Sequence, residues 1–374
     1  MGSQSIGAKT RVIQWGLGNV GRHSLRSILD RPELELVGLR VYNPAKVGRD
    51  AGELIGQEPV GVVATDDLDE LLALEADCVL YNALGSALVD LSGPVDDLVR
   101  LLESGKNVVS SAIDAFVYFK PGIEIDYAEP ELVERIQRAC AVGGTSIYNT
   151  GMTPGFAIDL WPTVMSRITR RVDSLRVTEV VNLCEYESTM MPVMGFGLEP
   201  DAPCLMHDVF RNNPAGSVYI GPIHMIADAM GAEIDDITYD RQVTTSPEPV
   251  MTASGALAAG TVVGIRFQFT GWVAGKPFVT LDFVWHIDDD LSPDWPAGHC
   301  KWILEIEGDP SLRSSLELAT DTDVKRPTSL TVAMNCLNAV HAVIAAPPGV
   351  VNHFTLPFVA GRSAASLKGD RITQ

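Results

Sequence analysis

Residues 11–21 read RVIQWGLGNVG, a short apolar run broken by three glycines. Val12, Ile13 and Trp15 have the apolar density of a buried strand, and residues 22–29 beyond Gly21 follow helical apolar spacing. The stretch predicts strand, glycine turn and helix. In such a turn Gly16 permits the sharp bend, Gly18 lets a pyrophosphate approach the backbone, and Gly21 lets the helix pack closely on the strand. Free N–H groups at the helix start then face phosphate oxygens. Three spaced glycines alone are weak evidence; the strand before and the helix after make them a dinucleotide-binding expectation.

The next strand is expected over residues 35–41, ELVGLRV. An NAD-specific site places an acidic side chain near the end of this strand, on the ribose 2′-hydroxyl. Here the positions are Arg40, Val41, Tyr42, Asn43, Pro44, Ala45 and Lys46, with Arg49 beyond. Cationic and amide groups without a carboxylate suit a 2′-phosphate. Arg40, Asn43 and Lys46 are therefore cofactor-binding candidates, and NADP(H) is favoured over NAD(H).

Strand and helix keep alternating. Strands are expected over 60–65, 77–82, 107–111 and near 146–148, with helices over 67–74, 94–103 and 130–141. That order predicts right-handed βαβ units and an α/β Rossmann fold with a doubly wound parallel sheet. Ligands bind beyond the carboxyl ends of such strands, so Asp114, just past the fifth strand, is the first choice for handling charge beside a nicotinamide. Tyr118 is a second catalytic candidate nearby.

The composition shifts at residues 149–156, NTGMTPGF, where Asn149 is a substrate-site candidate. A helix is expected from 157 to about 170, then segments of period two. Leu175, Val177 and Val181; Val263, Ile265, Phe267 and Phe269; Val279, Leu281, Phe283 and Trp285; and Trp302, Leu304 and Ile306 each alternate with wetter residues. This predicts a second, α+β domain with a mostly antiparallel sheet. The expected organisation is a dinucleotide-binding domain over 1–155, an α+β substrate and oligomerisation domain over 156–326, and a segment over 327–374 returning to the first domain. The last helix, near 329–345, carries His341 on its apolar face as a core residue.

Between the period-two strands, residues 188–197 and 200–213 show no regular periodicity and read as loops, where substrate contacts tend to sit. Met190, Met191, Met194 and Phe196 suggest an apolar pocket wall, and His207 a proton donor. Glu185 and Glu187 share one face at a strand end, where a cationic amine could be received, and Tyr186 points the other way. Glu185 is the third catalytic candidate; Tyr186, Met194, Phe196 and His207 join Asn149 as substrate candidates.

The formal net charge of −20 on 374 residues repels a phosphate backbone or an anionic membrane, so nucleic acid and membrane are unexpected partners. Six scattered cysteines lack ligand spacing, so no metal site is expected. No apolar leader or spanning run is apparent, and a cytoplasmic protein is expected. The open antiparallel sheet predicts a homodimer.

GLGNVGRHSLRSIL over 16–29, the NTGMTPGF turn and AMNCLNAVHAVIAAPPGV over 333–350 resemble the dihydrodipicolinate reductase-like oxidoreductases, especially the branch of 2,4-diaminopentanoate dehydrogenase and native NADP-dependent amine dehydrogenases. The resemblance implies hydride transfer between NADP(H) and a C=N or CH–NH centre, with an amine oxidised or an imine reduced. It also implies cofactor contacts at Gly16, Leu17, Gly18, Asn19, Val20 and Gly21, at Ala83 and Leu84, at Ser110 and Ser111, and at Asn338. In that branch a carboxylate after the fifth strand contacts the substrate nitrogen, and Asp114 lies there. The paired-histidine motif HHxxKxDAPSG of the reductases is missing: Asp201-Ala202-Pro203-Cys204 is preceded by Glu199 at the lysine position and Gly195-Phe196 at the histidines. An apolar amine or ketone-type substrate is expected. The alternatives are a carbonyl or unsaturated-ring reductase of the same fold and a catalytically silent NADP(H)-binding sensor.

Overall fold

The computed structural model describes residues 8–83, 92–120, 123, 130–214, 218–288, 295–319 and 327–363. They group into two units, one of residues 1–117, 128–152 and 324–374, the other of 118–127 and 153–323.

The first unit runs β1 (Thr10–Trp15), α1 (Asn19–Asp30), β2 (Leu34–Arg40), α2 (Ala51–Leu54), β3 (Ala64–Thr65), α3 (Leu68–Ala73), β4 (Cys78–Tyr81), α4 (Ser92–Glu103), β5 (Asn107–Ser110), α5 (Pro130–Gly143) and β6 (Ser146–Asn149). The chain comes back to it as α10 (Pro327–Ile344) and β15 (Gly349–Val351). Its sheet has the order β15-β6-β5-β4-β1-β2-β3, and every pair is parallel. This is the Rossmann-like sheet that the alternation predicts. Its strands are apolar on both faces, as helix-covered parallel strands must be: all four residues of β4 are buried. On α1 the stripe Leu25 and Ile28 meets the core that also takes Leu337 and Val340 of α10.

Two features depart from the expected elements. The strand expected over 60–65 shrinks to Ala64–Thr65, because Asp50 captures the N–H groups of Val60 and Gly61 on its carboxylate and bends the chain ahead of it. A seventh strand, β15, follows the Pro-Pro-Gly break and pairs with β6.

The second unit contains α6 (Leu160–Ser166), β7 (Arg171–Asn182), α7 (Met191–Met194), α8 (Leu205–Asn212), α9 (Ile220–Ala229), β8 (Asp236–Thr245), β9 (Val250–Thr252), β10 (Gly255–Leu257), β11 (Val262–Val273), β12 (Lys276–His286), β13 (Cys300–Asp309) and β14 (Leu312–Glu317). Its six-stranded sheet has the order β14-β13-β7-β12-β11-β8, with β7 and β12 parallel and the other pairs antiparallel. Residues 118–127 belong with this unit rather than with the first domain: Tyr118 Oη and Lys120 Nζ both donate to Asp228 of α9, each at 2.6 Å. The helix expected over 157–170 spans only Leu160–Ser166, capped by Asp159. Conversely, the stretch read as an irregular loop over 200–213 contains α8, whose Met206, His207 and Phe210 are buried.

The two faces of this sheet differ. Phe267, Phe269 and Phe283 form an aromatic cluster with Phe210 of α8 and with Tyr219. The opposite face carries Arg176, Thr178, Arg266, Thr280 and Asp282, and the Asp282 carboxylate is fully buried. Arg266 holds it through Nε at 3.0 Å and Nη2 at 2.7 Å, and Arg176 Nη1 adds a contact at 3.2 Å. Removing one member of a buried ion pair strands the others. Asp282→Ala should therefore lower unfolding stability by about 3 kcal/mol in urea denaturation; a loss below about 1 kcal/mol would show that the arginines are adequately solvated without it.

Candidate active site

The glycine turn is built from the backbone outward. Gly16 has φ +90°, and a Cβ there would lie 2.8 Å from the Asn82 carbonyl oxygen, so only glycine fits. A Cβ on Gly21 would lie 2.1 Å from the Gly16 carbonyl oxygen, so α1 can start against the end of β1 only because Gly21 has no side chain. At Gly18 a Cβ would meet nothing within 4 Å. Gly18 caps α1 without a side-chain hydrogen bond, and the first N–H groups of the helix, from Asn19 to Gly21, have no acceptor within the helix. The result is an open cradle of partial positive charge.

A polar network beneath the turn holds it. Gln14 Nε2 donates to the Gly16 carbonyl at 2.9 Å and to Asn82 Oδ1 at 3.1 Å; Ser24 Oγ donates to the same oxygen at 2.9 Å. Asn82 Nδ2 donates to Ser111 Oγ at 2.9 Å, joining the ends of β4 and β5. Gln14, Ser24 and Asn82 are positioning residues that the sequence motifs did not single out. Ala83 follows Asn82 directly, whereas Leu84 lies outside the described residues. Ser110 is buried, its Oγ accepting from the Ala112 N–H at 3.0 Å.

At the end of β2, Arg40, Trp15 and Tyr81 share one row across the sheet register. The Arg40 guanidinium lies 5.6 Å from the Trp15 ring centroid and 5.2 Å from that of Tyr42, and Trp15 Nε1 donates to Tyr42 Oη at 2.8 Å. Arg40 Nε and Nη1 are buried with no hydrogen-bond acceptor among the described residues. Burial raises the carboxyl of Asp97 on α4, and the charge of Arg40 opposes that rise. Lys46 Nζ donates to the Leu17 carbonyl at 2.9 Å, which ties the loop after β2 to the glycine turn. Asn43 is spent locally, capping its own turn through the Ala45 N–H.

Asp114 opens a short 3-10 turn after β5, and burial pushes its carboxyl up to about 7. Asn149, at the end of β6, accepts from the neighbouring Ile113 N–H at 3.3 Å, while its Nδ2 is buried with no acceptor among the described residues. Thus Asn149 ties down the backbone immediately before Asp114, within the unit that carries the glycine turn. Asn338 does not join them: its Oδ1 accepts from Arg31, beyond the far end of α1. One turn earlier on α10, Asn335 Nδ2 donates to Thr150 Oγ1 at 2.9 Å and to the Gly151 carbonyl at 2.7 Å, so Asn335 is the helix amide that reaches the strand ends.

The remaining candidates fall in the second unit, and several change role. The Tyr118 hydroxyl donates to Asp228, and burial with that bond raises its pKa, which makes it a structural donor. Glu185 is exposed in the turn after β7. The buried acid of that strand is Glu179, which accepts from Trp285 Nε1 at 3.0 Å and Trp302 Nε1 at 2.8 Å; burial raises its pKa against those donors. Tyr186 is half-buried, its carbonyl accepting from Ser254 Oγ. Phe196 is a core side chain, and Met194 is half-buried. His207 is fully buried, bonded through Nδ1 to the Tyr239 hydroxyl and through Nε2 to the Met194 carbonyl. Burial and the nearby Arg241 push its pKa down to about 3, so it stays neutral and cannot serve as an acid near pH 7.

The open cradle at Gly18, the uncapped helix start and the orphaned Arg40 nitrogens fit a dinucleotide. Fold and turn together define a nucleotide-binding protein of the Rossmann type. Residues 156–368 match the family model of the 2,4-diaminopentanoate dehydrogenase C-terminal domain, and residues 10–96 match that of the dihydrodipicolinate reductase N-terminus. An amine dehydrogenase from Streptomyces virginiae is 32% identical, covering 92% of this chain and 95% of its own. The 2,4-diaminopentanoate dehydrogenase of Acetoanaerobium sticklandii is 26% identical over 93% of this chain and 94% of its own. The solved amine dehydrogenase from Mycobacterium smegmatis shares the fold with a TM-score of 0.76 at 21% identity, covering 95% of this chain and 98% of that one. The chain belongs to the dihydrodipicolinate reductase-like oxidoreductases, in the branch that carries the 2,4-diaminopentanoate dehydrogenase C-terminal domain.

The open space at Gly18 gives a clean test of the cradle. Gly18→Ala should leave the melting temperature unchanged yet weaken coenzyme binding at least about tenfold in calorimetric titration. Unchanged affinity would mean that the phosphates do not approach this backbone.

Proposed function

We propose that the protein is an NADP(H)-dependent amine dehydrogenase that interconverts an apolar primary amine with its imine, and so with the ketone. The observation that carries this reading is the Asp114 carboxyl, raised to about 7, one residue beyond the Ile113 N–H that Asn149 accepts, in the same unit as the glycine turn. The family membership supports it, since relatives named amine dehydrogenase and 2,4-diaminopentanoate dehydrogenase match over nearly the whole chain.

The bound coenzyme supplies a hydride acceptor or donor at its nicotinamide ring. The Asp114 carboxylate takes a proton from the substrate ammonium, which frees the nitrogen lone pair to assist departure of the hydride from the adjacent carbon. The resulting iminium is hydrolysed by water to ketone and ammonia. In reverse, the protonated carboxyl of Asp114 donates to the imine nitrogen. A pKa near 7 suits both directions. The N–H groups of Asn19, Val20 and Gly21 bind the pyrophosphate, and Arg40 and Lys46 favour a 2′-phosphate where β2 ends without an acid. The absence of the cationic motif at Gly195, Phe196 and Glu199 favours an apolar amine over a dicarboxylate.

Steady-state assay tests this with apolar amines and NADP, and with ketones, ammonia and NADPH. NADP should be preferred over NAD by at least about tenfold. For amine oxidation kcat/KM should rise with pH and level off above about 7, as Asp114 loses its proton. Asp114→Asn should lower kcat by about a hundredfold or more and remove that inflection. Ketone reduction that needs no ammonia would convert the reading to a carbonyl reductase, and coenzyme binding without turnover to a sensor.

A homodimer through the polar face of the second unit's sheet is part of the same proposal. On that face Arg176 and Ile303 keep accessible surface in the single chain, while the aromatic cluster with α8 covers the other side. Light scattering should give twice the 40.3 kDa chain mass, and Ile303→Asp on that face should halve it. A monomeric parent protein would contradict this.

A further inference from the structure

The second unit holds a cavity of about 410 Å³ lined by Pro200, Asp201, Ala202, Pro203, Asp208, Arg211, Arg241 and Val243. Its size suits a small organic molecule. Two of its four charged groups are already occupied with each other: Asp208 accepts from the Cys204 N–H through Oδ2 at 3.0 Å and faces Arg211 through Oδ1 at 3.4 Å. The other two are not. Arg241, on β8, has a buried Nε without an acceptor, and among the described residues no hydrogen bond or ion pair engages its guanidinium. Asp201 likewise has no partner for its carboxylate among the described residues. One unpaired cation and one unpaired anion therefore line the same cavity without meeting each other.

A simple anion would satisfy Arg241 but be repelled by Asp201 and Asp208, and a simple amine would meet the reverse. A ligand carrying both charges satisfies both. Its carboxylate can pair with the guanidinium, which is geometrically suited to that group. Its ammonium can pair with Asp201, and the wall formed with Pro200, Ala202, Pro203 and Val243 is mostly polar, as a small zwitterion requires. We propose that this cavity is a binding site for a zwitterionic α-amino acid. The site belongs entirely to the second unit, shares no residue with the glycine turn, and stands independently of the reaction proposed above.

Calorimetric titration of the full chain, saturated with NADPH, tests it with L-leucine as the probe. Leucine should bind, and Arg241→Met and Asp201→Asn should each weaken it at least about tenfold while NADPH affinity stays unchanged. Asp201 is exposed, so its variant keeps the fold and carries the test if Arg241→Met does not fold. 4-Methylpentanoate, which lacks the ammonium, and isopentylamine, which lacks the carboxylate, should show at least about tenfold weaker Arg241-dependent binding than leucine. No leucine binding up to about 10 mM, or binding that neither variant changes, would overturn the site. Phosphate or 4-methylpentanoate binding as tightly as leucine would overturn its zwitterionic character.

Discussion

A methyl group on Gly21 would overlap the Gly16 carbonyl, and this single contact sets the geometry of the first unit. Because α1 starts hard against the end of β1, its first N–H groups stand free beyond the sheet instead of being folded into a longer turn. The same carbonyl takes a hydrogen bond from Gln14, whose amide also reaches Asn82. Asn82 in turn holds Ser24 on α1 and Ser111 at the end of β5. One tight backbone approach is thus locked by a side-chain network that spans three strands, so the open start of α1 and the loop leading to Asp114 are positioned together.

The second unit is organised by two buried carboxylates. Asp282 is held by two arginines on one face, while Glu179 is held by two indole N–H groups on the other. An isolated buried charge would be costly, and each is stabilised by directed donors rather than by solvent. The two environments are chemically distinct: Asp282 has full counter-charges, whereas Glu179 has only neutral donors and its pKa is raised. The sheet therefore has one polar face centred on the ion-paired Asp282 and one aromatic face into which Glu179 is set.

Much of this was legible in the sequence because local chemistry decided it. The glycine turn, the run of parallel strands and the period-two strands of the second sheet each follow from spacing that survives packing. The α8 helix was not legible, since its buried side includes a histidine, and Met-, Gly- and Pro-rich sequence on its N-terminal side hides the period. Burial decided the rest. His207 and Phe196 look like functional residues in a loop, yet the aromatic cluster absorbs His207 and the core takes Phe196. Glu179 sits among valines, so period two reads it as an interruption rather than as an acid with two indole partners. Asn338 and Asn335 are one turn apart on α10, and only tertiary placement tells which amide meets the strand ends. The family match through residues 156–368 extends the likeness across the domain where the motifs were thinnest.

The most direct test of the account is a crystal structure of the coenzyme complex. It should show the pyrophosphate on the N–H groups of Asn19, Val20 and Gly21, with nicotinamide C4 beside the Asp114 carboxyl. A pyrophosphate seated elsewhere, or a nicotinamide directed away from Asp114, would contradict it.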